Sequence, residues 1–174
     1  MRTRAVSELL LAEDFEFISG DGDRPRVVCH CARDVKSGRE ERTWLDGRTN
    51  VPPPVRHPDS VLVAFSAQAE IGCYLALGWP PPRRILDLGV EFRLQENGRR
   101  LRGFGLLDAL DAHGLHVTSR REDGLIHVVT RDYKHAMREL VRTGGPWSPS
   151  ERDAILDYCM SDCAALCKLL EVML

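Results

Sequence analysis

Two acidic residues separated by a single position, Asp14 and Glu16, stand inside a run of mostly apolar residues. The run, residues 8–18, predicts a β-strand, and alternate residues of a strand project to the same face. Two carboxylates side by side on a half-buried strand repel each other and lose hydration unless a cation lies between them. Hard divalent ions such as Mg²⁺ bind oxygen ligands of this kind. The spacing therefore favours a metal site, with an ordinary acidic strand end as the alternative.

Two further groups of polar residues stand where such a site could use them. Glu70 follows a strongly apolar run and falls in the first turn of a predicted helix, where the helix dipole also favours an acid that has no catalytic role. Tyr158 and Asp162 are four residues apart on the last predicted helix, so their side chains share a face. The residues around Asp162 are largely apolar, which makes a solvated acid a weaker alternative there than usual.

The elements that must position these residues follow the order of an α/β domain. Further strands are predicted at residues 26–33, 41–45, 60–65 and 84–88. Helices are predicted at residues 67–78, 106–114, 134–141 and 155–173, and residues 148–151 have the serine cap, proline and acid of a helix start. The first three strands form a predicted antiparallel meander, and residues 116–130 are the least certain segment.

Length and composition favour one globular domain over residues 1–174. The sequence is 43% hydrophobic and 29% charged, which is typical of a folded protein. With a net charge of -2, any binding of nucleic acid would have to come from a local site. No apolar run approaches the ~20 residues of a membrane span, and the start lacks the apolar core and cleavage site of a signal peptide. We expect a cytoplasmic protein without a membrane partner.

The six cysteines do not have the spacing of a zinc site. Cys29 and Cys31 are too close for a zinc knuckle, and no second pair completes four ligands. Cys159, Cys163 and Cys167 recur every four residues, which predicts one buried stripe of a helix. Free thiols in the core of a cytosolic protein are therefore expected.

Taken together, the acids resemble the three motifs of the DEDD exonuclease superfamily. The motifs are Asp14-Phe15-Glu16 on the first strand, Ser66 to Glu70 after the central strand, and Tyr158 to Asp162 on the last helix. The second motif departs from the family, which usually has asparagine and aspartate where this chain has Ser66 and Glu70. The histidine subclass carries its base where this chain has Asp157, so the resemblance is to the tyrosine subclass. In detail the chain is similar to the proofreading exonuclease domains of phage and bacterial DNA polymerase I-type proteins.

The resemblance implies a ribonuclease H-like α/β fold, in which a mixed five-stranded sheet begins with an antiparallel meander and is flanked by helices. It also implies a 3′–5′ exonuclease that hydrolyses terminal phosphodiester bonds of single-stranded or frayed DNA with two Mg²⁺ or Mn²⁺ ions. The implied metal ligands are Asp14, Glu16, Glu70 and Asp162. Tyr158 would orient the attacking water. A polymerase domain or subunit is the implied partner.

Two residues beside the acids are candidate substrate contacts. Phe17 could pack on the terminal nucleotide and Ser66 could hydrogen-bond it, and both are equally well explained as scaffold residues. The basic groups Arg99-Arg100-x-Arg102 and Arg120-Arg121 are candidate phosphate contacts, with a solvated face as the favoured alternative.

The sequence leaves other functions open. The departures at Ser66 and Glu70 keep one alternative, a catalytically weak or inactive scaffold of the same fold that binds nucleic-acid ends or a polymerase partner. A small-molecule α/β enzyme is disfavoured, because the chain lacks a phosphate-cradling glycine loop and a nucleophile elbow. RNA stays an alternative to DNA as the substrate.

Overall fold

The strand that carries Asp14 and Glu16 lies at the middle of a mixed five-stranded sheet in the computed structural model, which describes residues 10–19, 24–48, 50–54, 56–97, 103–120 and 126–174. The strands are β1 (Leu10–Ile18), β2 (Arg26–Asp34), β3 (Glu40–Trp44), β4 (Val61–Ala64) and β5 (Arg84–Asp87). Their order in the sheet is β3-β2-β1-β4-β5. The pairs β1–β2 and β2–β3 are antiparallel, whereas β4 is parallel to β1 and β5 is parallel to β4. This arrangement confirms the predicted α/β fold with its initial meander.

Five helices flank the sheet in the described part of the chain. They are α1 (Ala67–Leu77), α2 (Leu88–Gln95), α3 (Leu106–Ala112), α4 (Arg131–Arg142) and α5 (Pro149–Met173). None of the described helices is long and apolar enough to cross a bilayer. The predicted helix start at residues 148–151 and the predicted last helix prove to be one element, α5.

A capping box begins α5. The Ser148 hydroxyl accepts a hydrogen bond from the Glu151 N–H at 3.3 Å, and the Glu151 carboxylate accepts one from the Ser148 N–H at 2.7 Å. A small hairpin of β6 (Thr118–Arg120) and β7 (Ile126–Val128) occupies the segment that the sequence pattern left uncertain. The side chains of the candidate phosphate contacts Arg99, Arg100, Arg102, Arg120 and Arg121 lie outside the described residues.

Helix α5 lies on one face of the sheet, across β1 and β2, and thiols line the contact. The thiol of Cys159 donates to the carbonyl of Asp14 at 3.3 Å, and that of Cys163 donates to the carbonyl of Cys31 at 3.4 Å. All six cysteines of the sequence lie among the described residues, and all are buried free thiols, as predicted. This thiol seam fixes the height of α5 on the strand that bears the acids.

The opposite face of β1 packs against α1. Phe15 packs against the rings of Tyr74 and Trp79, whose centroids lie 5.6 and 6.2 Å from its own and 5.7 Å from each other. Beside it, the buried Glu13 carboxylate accepts hydrogen bonds from the Tyr74 hydroxyl at 2.6 Å and from Arg56 Nε at 2.9 Å. Side chains of β1 therefore pack against both layers of helices, and those of Asp14 and Glu16 lie on the face that α5 covers.

Candidate active site

The first and third motifs meet where α5 crosses β1. Asp14, Glu16 and Asp162 each offer one carboxylate oxygen, and the three oxygens lie within 4.8 Å of one another. Glu16 and Asp162 are buried and Asp14 is partly buried. Strand alternation brings Asp14 and Glu16 to this face, and the contact between Cys159 and the Asp14 carbonyl places the next turn of α5, with Asp162, above them.

The second motif forms the turn from β4 into α1. Ser66 has φ 93° and ψ 56°, a left-handed conformation that asparagine tolerates better than serine. Its N–H and that of Ala67 donate to the Asp87 carboxylate at 3.1 and 2.8 Å, which holds the turn. The turn directs Glu70, in the first turn of α1, toward the acidic cluster, but Glu70 is not one of the three acids whose oxygens lie within 4.8 Å.

A cavity of about 500 Å³ opens over the acids. Its walls include all seven residues that the sequence singled out as site residues: Asp14, Glu16, Phe17, Ser66, Glu70, Tyr158 and Asp162. Four basic and two aromatic residues from outside the three motifs also line it: Arg93, Lys134, Arg138, Arg142, Phe65 and Phe104. The motifs did not indicate these six. Asp157 is turned away and pairs with Arg42.

Burial and mutual repulsion hold protons on the acids. Burial, with the charge of Asp162 added, raises the pKa of Asp14 to about 8. Burial and then the charge of Asp14 raise the pKa of Glu16 well above its usual range and that of Glu70 to about 9. Three neighbouring carboxyl groups therefore share a strong preference for the neutral form in the absence of a cation.

The donor set fits a hard divalent cation. Asp14 Oδ2 and Glu70 Oε2 are buried and find no hydrogen-bond partner among the described residues. Buried carboxylate oxygens left in this way are costly for the fold unless a ligand completes them. Oxygen ligands at this density are the kind that Mg²⁺ and Mn²⁺ bind.

One acid of the cluster already has a cation. Lys134 of α4 donates from Nζ to both carboxylate oxygens of Asp162, at 2.7 Å from Oδ1. A sequence signal for this lysine exists: Lys134, Met137 and Val141 have the spacing of one helical stripe, and all three are buried. A charged residue on an otherwise apolar stripe needs a partner in the core, and Asp162 is that partner.

The Tyr158 side chain is held rigidly beside the acids. The residue is 1% exposed, and its ring lies 5.3 Å from Lys134 Nζ and edge-on to Tyr133. The guanidinium of Arg138 interacts with the Tyr158 hydroxyl. Burial, followed by the charge of Asp162, raises the pKa of Tyr158 far above its usual value. The phenol therefore stays neutral and can donate or accept a hydrogen bond without serving as a base.

We expect the metal-free protein to lose stability as the pH rises from about 6 to about 8. The unfolded chain releases the Asp14 and Glu70 protons near the ordinary pKa values of 3.8 and 4.5, whereas the fold keeps them until about 8 and 9. The folded state binds more protons over this window, so each group lowers the free energy of unfolding by up to ~1.4 kcal/mol per pH unit. Urea unfolding in EDTA at a series of pH values measures the slope.

Saturating Mg²⁺ provides the control for this pH series. Metal-bound carboxylates are deprotonated in the fold as well, so the slope should flatten. Stability that is constant or rises with pH in EDTA would contradict the electrostatic picture of the site.

The fold recurs in solved nuclease structures. The sequence matches no protein-family model and no curated protein sequence. Over 94% of its length the chain is similar to the apo form of a nuclease, with a TM-score of 0.56 and 14% identity, covering 73% of that chain. Over 95% of its length it is similar to Escherichia coli RNase D, an exoribonuclease involved in structured RNA processing, with a TM-score of 0.54 and 12% identity. The chain spans 44% of RNase D. It therefore has the ribonuclease H-like fold found in these nucleases.

Proposed function

We propose that the chain is a metal-dependent 3′–5′ exonuclease domain that hydrolyses terminal phosphodiester bonds of nucleic acid. One observation carries the proposal: Asp14, Glu16 and Asp162 converge with their oxygens within 4.8 Å, at the floor of a cavity that Tyr158 and Glu70 also line. A structural role for the acids alone would not explain why so many carboxyl groups are buried facing one another, since that arrangement costs stability.

Each residue has a role in this mechanism. Asp14, Glu16 and Asp162 would hold two Mg²⁺ or Mn²⁺ ions, and Glu70 would assist through Oε2, which has no hydrogen-bond partner in the described part of the chain. Bound metal lowers the pKa of water and stabilises charge on the attacking and leaving oxygens. The neutral Tyr158 hydroxyl orients the attacking water for in-line approach to the terminal phosphate.

The remaining walls of the cavity suit a single terminal nucleotide. Its volume of about 500 Å³ is in the range of a small-ligand site. Aromatic rings of Phe17, Phe65 and Phe104 offer stacking surfaces that do not discriminate between bases. The cations Arg93 and Arg142 offer contacts to the phosphates of the same strand. A cavity of this size favours single-stranded or frayed ends over paired ones.

DNA is the proposed substrate, on the motif resemblance to polymerase I-type proofreading domains, and a polymerase domain or subunit is the proposed partner. RNase D, which has a similar fold, is an exoribonuclease, so RNA is the competing substrate. The second candidate function is end-binding without turnover. Two observations favour it. Lys134 forms an ion pair with Asp162, one of the proposed metal ligands, and Ser66 and Glu70 stand where the family usually has asparagine and aspartate.

Incubation with 5′-labelled single-stranded DNA and RNA tests the function. With Mg²⁺ or Mn²⁺ we expect a ladder that shortens from the 3′ end, no products in EDTA, and no products from a 3′-blocked strand. A 5′ block should make no difference. The matched control is Asp14→Asn, purified identically, which shows whether a contaminating nuclease is present. Cutting of a closed circular strand would overturn the exonuclease proposal, and retention of ends without release of nucleotides would favour the binding scaffold.

A further inference from the structure

Lys134 forms a closed ion pair with Asp162 inside the acidic cluster. Lys134 is 5% exposed and Asp162 is 7% exposed, so bulk water solvates neither charge well. The ammonium donates to both oxygens of the carboxylate. Those oxygens belong to an acid that the proposed function assigns to a metal. A cation of the protein itself therefore stands where an external cation is expected.

Helix α4 holds the lysine in this position. The Thr130 hydroxyl caps α4 by accepting from the Tyr133 N–H at 3.2 Å, and Met137 and Val141 bury the same face of the helix. The Lys134 Nζ lies over the Tyr158 ring, 5.3 Å from its centroid, which gives the ammonium a second favourable contact. The pairing is thus built into the packing of α4 on α5 and is not the chance reach of a surface side chain.

The pairing is also selective among the acids. Asp14 and Glu70 each keep a buried oxygen without a partner among the described residues, while both oxygens of Asp162 are satisfied. The acids of the site therefore differ: Asp162 is paired with a cation of the protein, and Asp14 and Glu70 are not satisfied in this way. We propose that Lys134 is a built-in counter-ion that competes with divalent metal for Asp162, so that metal binding at this acid must displace the ammonium.

This inference rests on the metal site of the proposed function, and it predicts the sign of a binding change. In the wild-type protein, metal binding at Asp162 must break the buried Lys134–Asp162 ion pair, which makes the net free energy of metal binding less favourable. Removing the ammonium removes this cost and also removes a like charge near the metal. Both effects strengthen binding, so a variant without the lysine should bind metal more tightly although it has lost a buried ion pair of its own core.

Calorimetric titration of Mn²⁺ into the metal-stripped full chain, with no nucleic acid present, tests the proposal. We expect Lys134→Met to lower the Kd for Mn²⁺ by at least about tenfold, given the strength of one unit charge a few ångströms away. Its melting temperature in EDTA should fall, because Asp162 is left unpaired, and saturating Mn²⁺ should restore it. Lys134→Gln, which keeps a hydrogen bond to Asp162 without the charge, should show the same tightening if Lys134→Met does not fold.

Lys168→Met is the matched control. This exposed lysine lies on α5 and donates from Nζ to the His116 carbonyl at 2.7 Å, so its removal deletes an equal charge away from the cluster. Its Kd for Mn²⁺ should equal that of the wild type. Equal or weaker Mn²⁺ binding in both Lys134 variants would overturn the counter-ion role. An absence of Mn²⁺ binding in every variant and in the wild type would overturn the metal site itself, whereas Mn²⁺ binding without exonuclease activity would refute only the proposed reaction.

Discussion

Asp14→Asn and Asp162→Asn should each remove nuclease activity but change the stability of the metal-free protein in opposite directions. Both acids are proposed metal ligands, and loss of either should lower turnover by roughly 10³-fold or more, about 4 kcal/mol in the barrier. The Asp14 carboxyl group is buried beside the charge of Asp162, and its Oδ2 has no hydrogen-bond partner among the described residues. Asparagine in its place should hold or raise the melting temperature in EDTA, since it removes a carboxyl group whose ionised form burial and the charge of Asp162 disfavour in the fold.

Asp162→Asn has a different cost because Lys134 depends on this carboxylate. Breaking a buried ion pair from one side leaves an uncompensated charge, which typically costs about 3–5 kcal/mol. Thermal or urea unfolding of both variants in EDTA measures the contrast, and turnover in Mn²⁺ measures the shared loss. The double variant Lys134→Met/Asp162→Asn should recover much of the lost stability. Equal stability changes for the two single variants would contradict the ion pair.

Tyr158→Phe should lower turnover by ~10²–10⁴-fold with little change in KM or in stability. The ring keeps its packing against Tyr133 and its contact with Lys134, and only the hydroxyl near the acids is lost. Since the pKa of Tyr158 is raised far above neutrality, the wild-type profile of turnover against pH should show no step that belongs to this phenol. Steady-state kinetics of the two proteins at several pH values measure both effects.

Tyr133→Phe is the matched control for the tyrosine. It removes a neighbouring hydroxyl, one that lies 3.3 Å from the Ser119 hydroxyl, from a ring in contact with Tyr158. Turnover should stay near the wild-type value. If Tyr158→Phe is as active as this control at saturating Mn²⁺, the water-orienting role is wrong.

The central sheet and the pairing of residues within the first and third motifs were predictable because they depend on short-range periodicity, whereas the meeting of these two motifs was implied by the family resemblance. Residues two apart on a strand must share a face, which places Asp14 beside Glu16, and residues four apart on a helix must share one, which places Tyr158 beside Asp162. The apolar run of β4 and the glycine and prolines after α1 similarly fixed the strand–helix–strand unit. Which residues share a face of a strand or a helix is set by backbone geometry, so it can be read from the sequence without knowledge of the tertiary contacts.

The ion pair and the small hairpin were not predictable by the same means. Lys134 and Asp162 are 28 residues apart, and which acid a buried lysine meets depends on how α4 packs on α5. From the sequence, Asp14 and Asp162 look equivalent, whereas the structure gives only Asp162 this buried partner. Strands β6 and β7 have three residues each, too short for alternation to be visible in the sequence.

The thiol seam between α5 and the sheet makes opening of the site accessible to a chemical probe. Burial raises the pKa of Cys29 to about 11 and that of Cys159 and Cys163 well above their usual values, so the folded chain presents neutral thiols that a dye does not reach. The Cys159 thiol donates a hydrogen bond to the Asp14 carbonyl, so it becomes exposed to a thiol reagent only when α5 separates from β1. The same motion carries Asp162 away from Asp14. The labelling rate of Cys159 therefore reports the free energy that holds the two motifs together, without substrate or metal.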